Sequence, residues 1–546
     1  MGSSRRVIAG FGLAGTIAVI TVAVFLTARP AAQQAADSSA TPASALASPS
    51  ASQSSAPSQT AIGRGPSASP SDSAVTEEAI VPIVGYWSTQ RTITSAELRL
   101  ALTGRDARFR KVVVANPDRA AVAGALGVQP ASAVTQLSAS AVIAAVQGHT
   151  NVLGLVRAED VQPPVRALGV DGRVLFGDSR VRTVADWGLT IRAPRELAGA
   201  GATPFDASST WTLVAAGDVM NDRAVYQEAV LLHHGPDFPW SGGTAKIVGR
   251  SCCVAGDNIV RASSTGNAGA VVALFRGADL ALVNHEGPTP DNFAYHPLTY
   301  PAGLVFSFDP ALEAGIHDAG VDIVSLANNH IRNYGSLGVT QTIANEKMAG
   351  LTPVGAGRNL AAANAPAWFT IDGVRIAVLA FDAIDLGSNA ATAGRPGAAP
   401  LDLGRAKADI KAARAAGAQV VIVVPHWGVE YTSIATSSQR RDAAALIADG
   451  ADVILGSHPH WAGAMEAIGK GVVVYSMGDF IFDLPRSERT DEGLIVELTF
   501  VGTHLAQIDI HPTIELDRSQ PNLLDPADGQ VVLERIRSVS SAFLHW

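Results

Sequence analysis

The stretch Asp452–Gly463, "DVILGSHPHWAG", decides how the rest of the chain is read. Val453, Ile454 and Leu455 form a continuous apolar run, the pattern of a short strand covered on both faces. The run stops at Gly456, and His458 and His460 follow one residue apart. Taken alone, the Gly-Ser-His-Pro-His segment reads equally well as a turn with two surface histidines or as a turn presenting two metal ligands. The neighbouring strands have to decide.

From Trp211 onward, apolar runs alternate with Ala-rich helical stretches. "TWTLVAAGDVM", "DLALVNHE", "VDIVSLANNH", "VRIAVLAFDAI", "AQVVIVVPHWG" and "ADVILGSHPH" read as strands, and segments such as "DPALEAGIHDAG" and "RRDAAALIADG" read as helices. Three closely spaced β runs follow, "GVVVYSMGDFIFD", "GLIVELTFVG" and "AQIDIHPTIEL". This order predicts an α/β fold with sheets buried beneath helices. In open α/β sheets, ligands bind beyond the carboxyl ends of the strands. At those ends stand Asp218, Asn284 with Glu286, Asn328 with Asn329 and His330, His426, and His458 with His460. Each alone also reads as a turn, cap or core residue. Together, carboxylates and imidazoles without thiolates are the ligand set expected for one or two divalent transition-metal ions, Mn, Fe or Zn.

At this point six ordered blocks, "GDVM", "NHEGP", "LANNHIRNYG", "PHWGVEY", "GSHPH" and "YSMGDFIFD", resemble the bacterial capsule synthesis CapA family of poly-γ-glutamate biosynthesis, from Trp211 to about Phe500. That family is in turn similar to the calcineurin-like metallophosphoesterases. The resemblance implies a four-layer α/β/β/α sandwich with a two-metal site. It assigns Asp218, Glu286, Asn329, His426, His458 and His460 as metal ligands and His330 as the catalytic residue that meets substrate and leaving group. Two departures stand out. Met220 occupies the place where phosphoesterases usually carry a histidine, and Asp479 replaces the asparagine of a Gly-Asn-Phe block.

The chain has 546 residues, 47% of them hydrophobic, enough for more than one domain, and its net charge of −9 with no basic stripe argues against a nucleic-acid partner. Arg5 and Arg6 precede an uncharged apolar run, Val7 to Ala28, of bilayer-spanning length. The run reads as a single-pass anchor with the folded parts outside the cytoplasm, the alternative being a cleaved signal peptide. The expected organisation is therefore an anchor at 1–28, an Ala/Ser/Pro-rich spacer at 29–79, a small α/β domain of unknown role at 80–197, the CapA-like domain at 211–515 and a C-terminal extension at 516–546. Cys252 and Cys253, the only cysteines, are either small loop residues or a vicinal disulfide.

The leading functional expectation is a membrane-anchored protein of capsule or poly-γ-glutamate biosynthesis with a metal-dependent, hydrolase-type site. Its partners would be an anionic polymer or phosphoester substrate and membrane subunits of a capsule synthase. The alternatives are a non-catalytic polymer-binding or scaffolding subunit, which Met220 favours, and a secreted metal-dependent phosphodiesterase unrelated to capsule.

Overall fold

The computed structural model describes residues 75–163, 165–194, 205–254, 257–297, 304–484 and 487–541. The apolar run Val7 to Ala28 and all but the end of the spacer lie outside these residues, and among those described no helix is long and apolar enough to cross a membrane.

Two sheets face each other across a shared apolar core. The ten-stranded sheet runs Asp257–Gly266, Thr244–Val254, Gln520–Leu524, His504–Leu516, Glu492–Val501, Thr210–Val219, Leu280–His285, Ile323–Ser325, Thr352–Val354, with Asp479–Ile481 also paired to Thr210–Val219. The six-stranded sheet runs Ala367–Ile371, Val374–Asp382, Val420–His426, Val453–Leu455, Gly471–Val474, Met465–Ile468. Alternation along each strand divides its side chains between two cores. Leu213 and Ala215 join Ile376, Val378, Ile422 and Val424 between the sheets. Val214 and Ala216 turn outward to Phe275, Ile316 and Val339, contributed by the helices Ala270–Gly277, Glu313–Asp318 and Gly335–Met348. On the opposite side Ala377, Leu379 and Phe381 meet Ile410 and Leu446 from the helices Leu403–Ala415 and Ser437–Ala448. The mixed α/β fold is thus two face-to-face sheets, each with helices on its outer surface.

The site-bearing strands are parallel within each sheet. Thr210–Val219 pairs with Leu280–His285, which pairs with Ile323–Ser325, while Val420–His426 pairs with Val453–Leu455. Their carboxyl ends therefore gather at one edge of the sandwich.

A separate sheet, Thr135–Leu137, Lys111–Ala115, Val152–Arg157, Val75–Gly85, Val165–Ala167, carries the helices Ser95–Leu102, Arg119–Ala125 and Ala139–Val146. Its first strand begins at Val75, within the stretch whose composition reads as spacer, because the backbone of Val75 to Ala79 pairs with Thr190–Pro194 and needs no apolar side chains to do so. Asp509, on the His504–Leu516 strand, ties this sheet to the sandwich by accepting from Arg91 at 2.9 Å and pairing with Arg166. Burial alone would raise the Asp509 pKa, but the two guanidiniums hold it below the usual carboxylate range. Its folded-state pKa is depressed, so its contribution to stability is present above about pH 4 and is lost only as the pH falls well below that. Asp509→Ala leaves the Arg166 side chain, 1% exposed, without its carboxylate. Denaturant unfolding at pH 7 should register a loss of about 3–5 kcal/mol, and an unchanged midpoint would contradict this role.

Cys252 and Cys253 form a vicinal disulfide on the Thr244–Val254 strand.

Candidate metal centre

Close approach of the backbone assembles the centre. Thr210–Val219 is buried throughout its length and carries Asp218 one residue before its end, in register with Asn284 on one side and Asp479 on the other. Gly217 permits this, since a Cβ there would lie 1.8 Å from the Gly478 carbonyl oxygen. On the facing sheet, a Cβ at Gly456 would lie 2.3 Å from the Tyr475 carbonyl oxygen, so the turn after Val453–Leu455 can only start from glycine. His458 and His460 then adopt φ values of 97° and 59°, left-handed conformations that are uncommon outside glycine.

These two turns send the histidines to different partners. His458 stands with Glu286 and His426, and His460 stands with Asp218 and Asp479, as two buried groups of potential ligands, and the imidazole centroids are 6.1 Å apart. In the first group His426 Nε2 is 3.8 Å from Glu286 Oε1, and Asn329 Oδ1 lies 2.8 Å from the same nitrogen. In the second, His460 Nδ1 is 2.8 Å from Asp479 Oδ1 and 3.7 Å from Asp218 Oδ2. Asn284 joins the groups: its Nδ2 donates to Asp218 Oδ1 at 2.8 Å and lies 3.4 Å from His426 Nδ1. The seven residues to which the resemblance assigns roles, Asp218, Glu286, Asn329, His330, His426, His458 and His460, meet at this edge.

Asp479 is the residue that sequence reasoning did not count among the ligands. It was visible only as a departure from Gly-Asn-Phe, and its carboxylate completes the Asp218 group. Asn328 turns away, donating from Nδ2 to the His285 carbonyl at 2.8 Å and accepting from the His330 backbone N–H. Met220 packs in a small buried cluster with Phe306, Phe308 and Phe482.

The electrostatics ask for a cation. Both oxygens of Glu286, Asp479 Oδ2 and His458 Nδ1 are buried without a hydrogen-bond partner. Burial, and then the charge of Asp218, pushes the Glu286 carboxyl well above its ordinary range, and burial pushes Asp479 up to about 7. Burial also keeps His458 and His426 neutral, His458 down to about 3, the protonation state a metal ligand requires. For His460 burial acts in the same direction, but Asp479, Glu286 and Asp218 outweigh it and raise the imidazole to about 10. Three buried carboxylates, two of them with unsatisfied oxygens, beside the neutral imidazoles of His426 and His458 fit divalent cations, with mixed O and N donors suited to Mn, Fe or Zn.

His330 stands beside the Glu286 group, with Nε2 3.8 Å from Glu286 Oε1. Its ring packs on Phe306 at 4.1 Å between centroids, and the Arg223 guanidinium lies 4.8 Å from the Phe306 ring centre.

The profile of the bacterial capsule synthesis protein family PGA_cap matches residues 212–484, half of the chain and all of the candidate ligands. The chain belongs to that family. Among curated relatives, the capsule biosynthesis protein CapA of Bacillus anthracis is 32% identical over 234 residues, which are 42% of this chain and 57% of that protein. The PGA biosynthesis protein CapA of Bacillus subtilis is 31% identical over 246 residues, 44% of this chain and 64% of that protein. The chain thus spans less than two thirds of the length of either. Among solved structures, the calcineurin-like phosphoesterase YfkN of Bacillus subtilis aligns with a TM-score of 0.32 and 14% identity, over 60% of this chain and 99% of that one. The NAD nucleotidase NadN of Haemophilus influenzae aligns with a TM-score of 0.33 and 13% identity, over 60% of this chain and 56% of that one.

Proposed function

We propose that this PGA_cap protein is a membrane-tethered, extracytoplasmic component of the machinery that makes or exports an anionic capsule polymer of the poly-γ-glutamate type, and that its metal centre hydrolyses phosphoester or amide bonds. The names of the curated relatives support the pathway. The Val7 to Ala28 run behind Arg5 and Arg6 supports the tether.

The observation that carries the hydrolase reading is His330 at the rim of two adjoining ligand groups. Asp218, His460 and Asp479, or Glu286, His426, His458 and Asn329, would hold a divalent ion, and the chemistry it would supply there is Lewis acidity toward a substrate oxygen. The chain's own groups do the rest. Asn333 Oδ1 accepts from the Phe306 backbone N–H at 2.8 Å, so it meets His330 Nδ1 at 3.1 Å as an acceptor. Nδ1 of His330 therefore carries the proton, and Nε2 turns its lone pair toward Glu286. Burial holds the ring at about 4, hence neutral near pH 7. Nε2 can donate to a leaving group only after it has taken up a proton, which makes it a transfer group and not a standing acid.

A second reading, a non-catalytic subunit that binds polymer through the same metal, draws on Met220, which offers an apolar contact with Phe306, Phe308 and Phe482 in place of a further imidazole. Detergent-solubilised full-length protein, loaded with Mn, separates the two when assayed against bis(p-nitrophenyl) phosphate and against poly-γ-glutamate. Turnover of either, abolished by EDTA and restored by Mn, is expected. Metal-dependent polymer binding without turnover of either compound would transfer support to the binding subunit.

A further inference from the structure

We propose that the polar pocket beside His330 is a subsite for an anionic group of the substrate, a carboxylate or a phosphate, gripped by Arg332 with Arg395 behind it. The proposal rests on the hydrolase reading of the adjoining centre and adds the charge of what enters it.

The pocket measures about 440 Å³ and opens directly from the centre, since Asn329 and His330 form one wall and Arg332, Asn333, Asp385 and Asn389 form the others. Arg332 in the wall and Arg395 outside the lining are notable for what they lack. Arg332 Nη1 donates to the Ser388 carbonyl and Nη2 to Ser336 Oγ at 3.3 Å. Arg395 Nη2 donates to the carbonyls of Gly387 at 3.2 Å and Ala390 at 2.8 Å. Main-chain oxygens of residues 387–390 thus reach both guanidiniums, and these neutral acceptors, with the Ser336 hydroxyl, orient the charge without neutralising it. Among the described residues neither arginine has an ion-pair partner, and the Nε of each is buried without a hydrogen-bond partner. Burial and the proximity of Arg395 both disfavour the charge on Arg332.

Asp385, the one carboxylate in the pocket wall, does not relieve this. It is exposed to solvent, and its oxygens accept from the backbone N–H and Oγ of Ser388 and from Asn389 Nδ2. A guanidinium presents five N–H groups in a fork matched to the two oxygens of a carboxylate or phosphate, and Arg332 has committed only two of them. An anion in the pocket would complete that fork and relieve the repulsion between the arginines. It would also anchor the substrate away from the bond being cleaved, where binding energy serves to position the reacting group.

The test uses full-length protein stripped of metal by chelation, so that anions are not drawn to the metal, titrated calorimetrically with inorganic phosphate and, separately, with glutarate. Wild type should bind at least one of them, and the stronger of the two identifies the class of anion. Arg332→Ala should lose about tenfold or more in affinity, and Arg332→Lys, which keeps the charge but not the fork, should fall between. Arg441→Ala, an exposed arginine that is not among the residues lining the pocket, should bind as wild type does. Equal affinity of wild type, Arg332→Ala and Arg332→Lys, or no binding of either anion by wild type, overturns the subsite. If Arg332→Ala fails to fold, the lysine variant carries the comparison. Arg332-dependent binding in a protein that hydrolyses nothing when loaded with Mn would sink the hydrolase reading while the subsite stands. Turnover with anion binding indifferent to Arg332 would do the reverse.

Discussion

Alanine at both His458 and His460 should strip the protein of divalent metal. The two side chains serve different groups, His458 beside Glu286 and His426 and His460 beside Asp218 and Asp479, so the double substitution takes a nitrogen from each. Each single substitution should therefore lower the metal content while sparing the other group, a partition that one shared site could not give. The left-handed backbone at both positions complicates the choice of variant, because alanine tolerates it poorly. Asparagine, which visits that region more readily, provides the folding control. Elemental analysis of purified, circular-dichroism-verified variants reads the outcome. Unchanged metal in the double variant would mean that neither histidine is a ligand.

His330→Ala should have the opposite profile, with metal retained and turnover lost. The imidazole lies 3.8 Å from Glu286 Oε1 but belongs to neither ligand group, and its Nε2 is placed to accept and return a proton. Groups in that role contribute about 10² to 10⁴ in rate, so kcat on any accepted phosphoester or amide should fall by roughly that factor. Asp218→Ala, by contrast, should lose metal and activity together. A His330→Ala enzyme with unchanged kcat would remove this residue from the chemistry.

The strands were legible because each announces itself as an unbroken apolar run closed by glycine or a polar residue. Val453–Leu455 and Val420–His426 are buried on both faces, and such strands carry no alternation to misread. The paired strands Thr244–Val254 and Asp257–Gly266 were missed for the converse reason. "KIVGRS" and "DNIVRASSTG" bury little, and the ribbon joins its sheet through only Thr244 and Ala245. The helix Pro526–Ser540 fell within what reads as a bare extension, although Val532, Leu533 and Ile536 lie on one face and seal the core between the sheets. At the centre, the rule that ligands gather at strand ends picks out residues that the fold does bring together. It cannot divide them, because that division depends on the backbone angles at His458 and His460 and on how closely Gly217 and Gly478 approach, neither of which has a pattern in sequence. Asp479 shows the same limit. It begins its strand and enters the centre sideways, through its pairing with Asp218.

The central claim is that two neighbouring buried groups form a divalent-metal centre. Anomalous diffraction from crystals of the protein grown with Mn tests it most directly. The arrangement predicts anomalous density bounded by Asp218, His460 and Asp479, and again by Glu286, His426 and His458. Crystals that show these side chains in place, with no anomalous density at either group despite saturating Mn, would contradict the account.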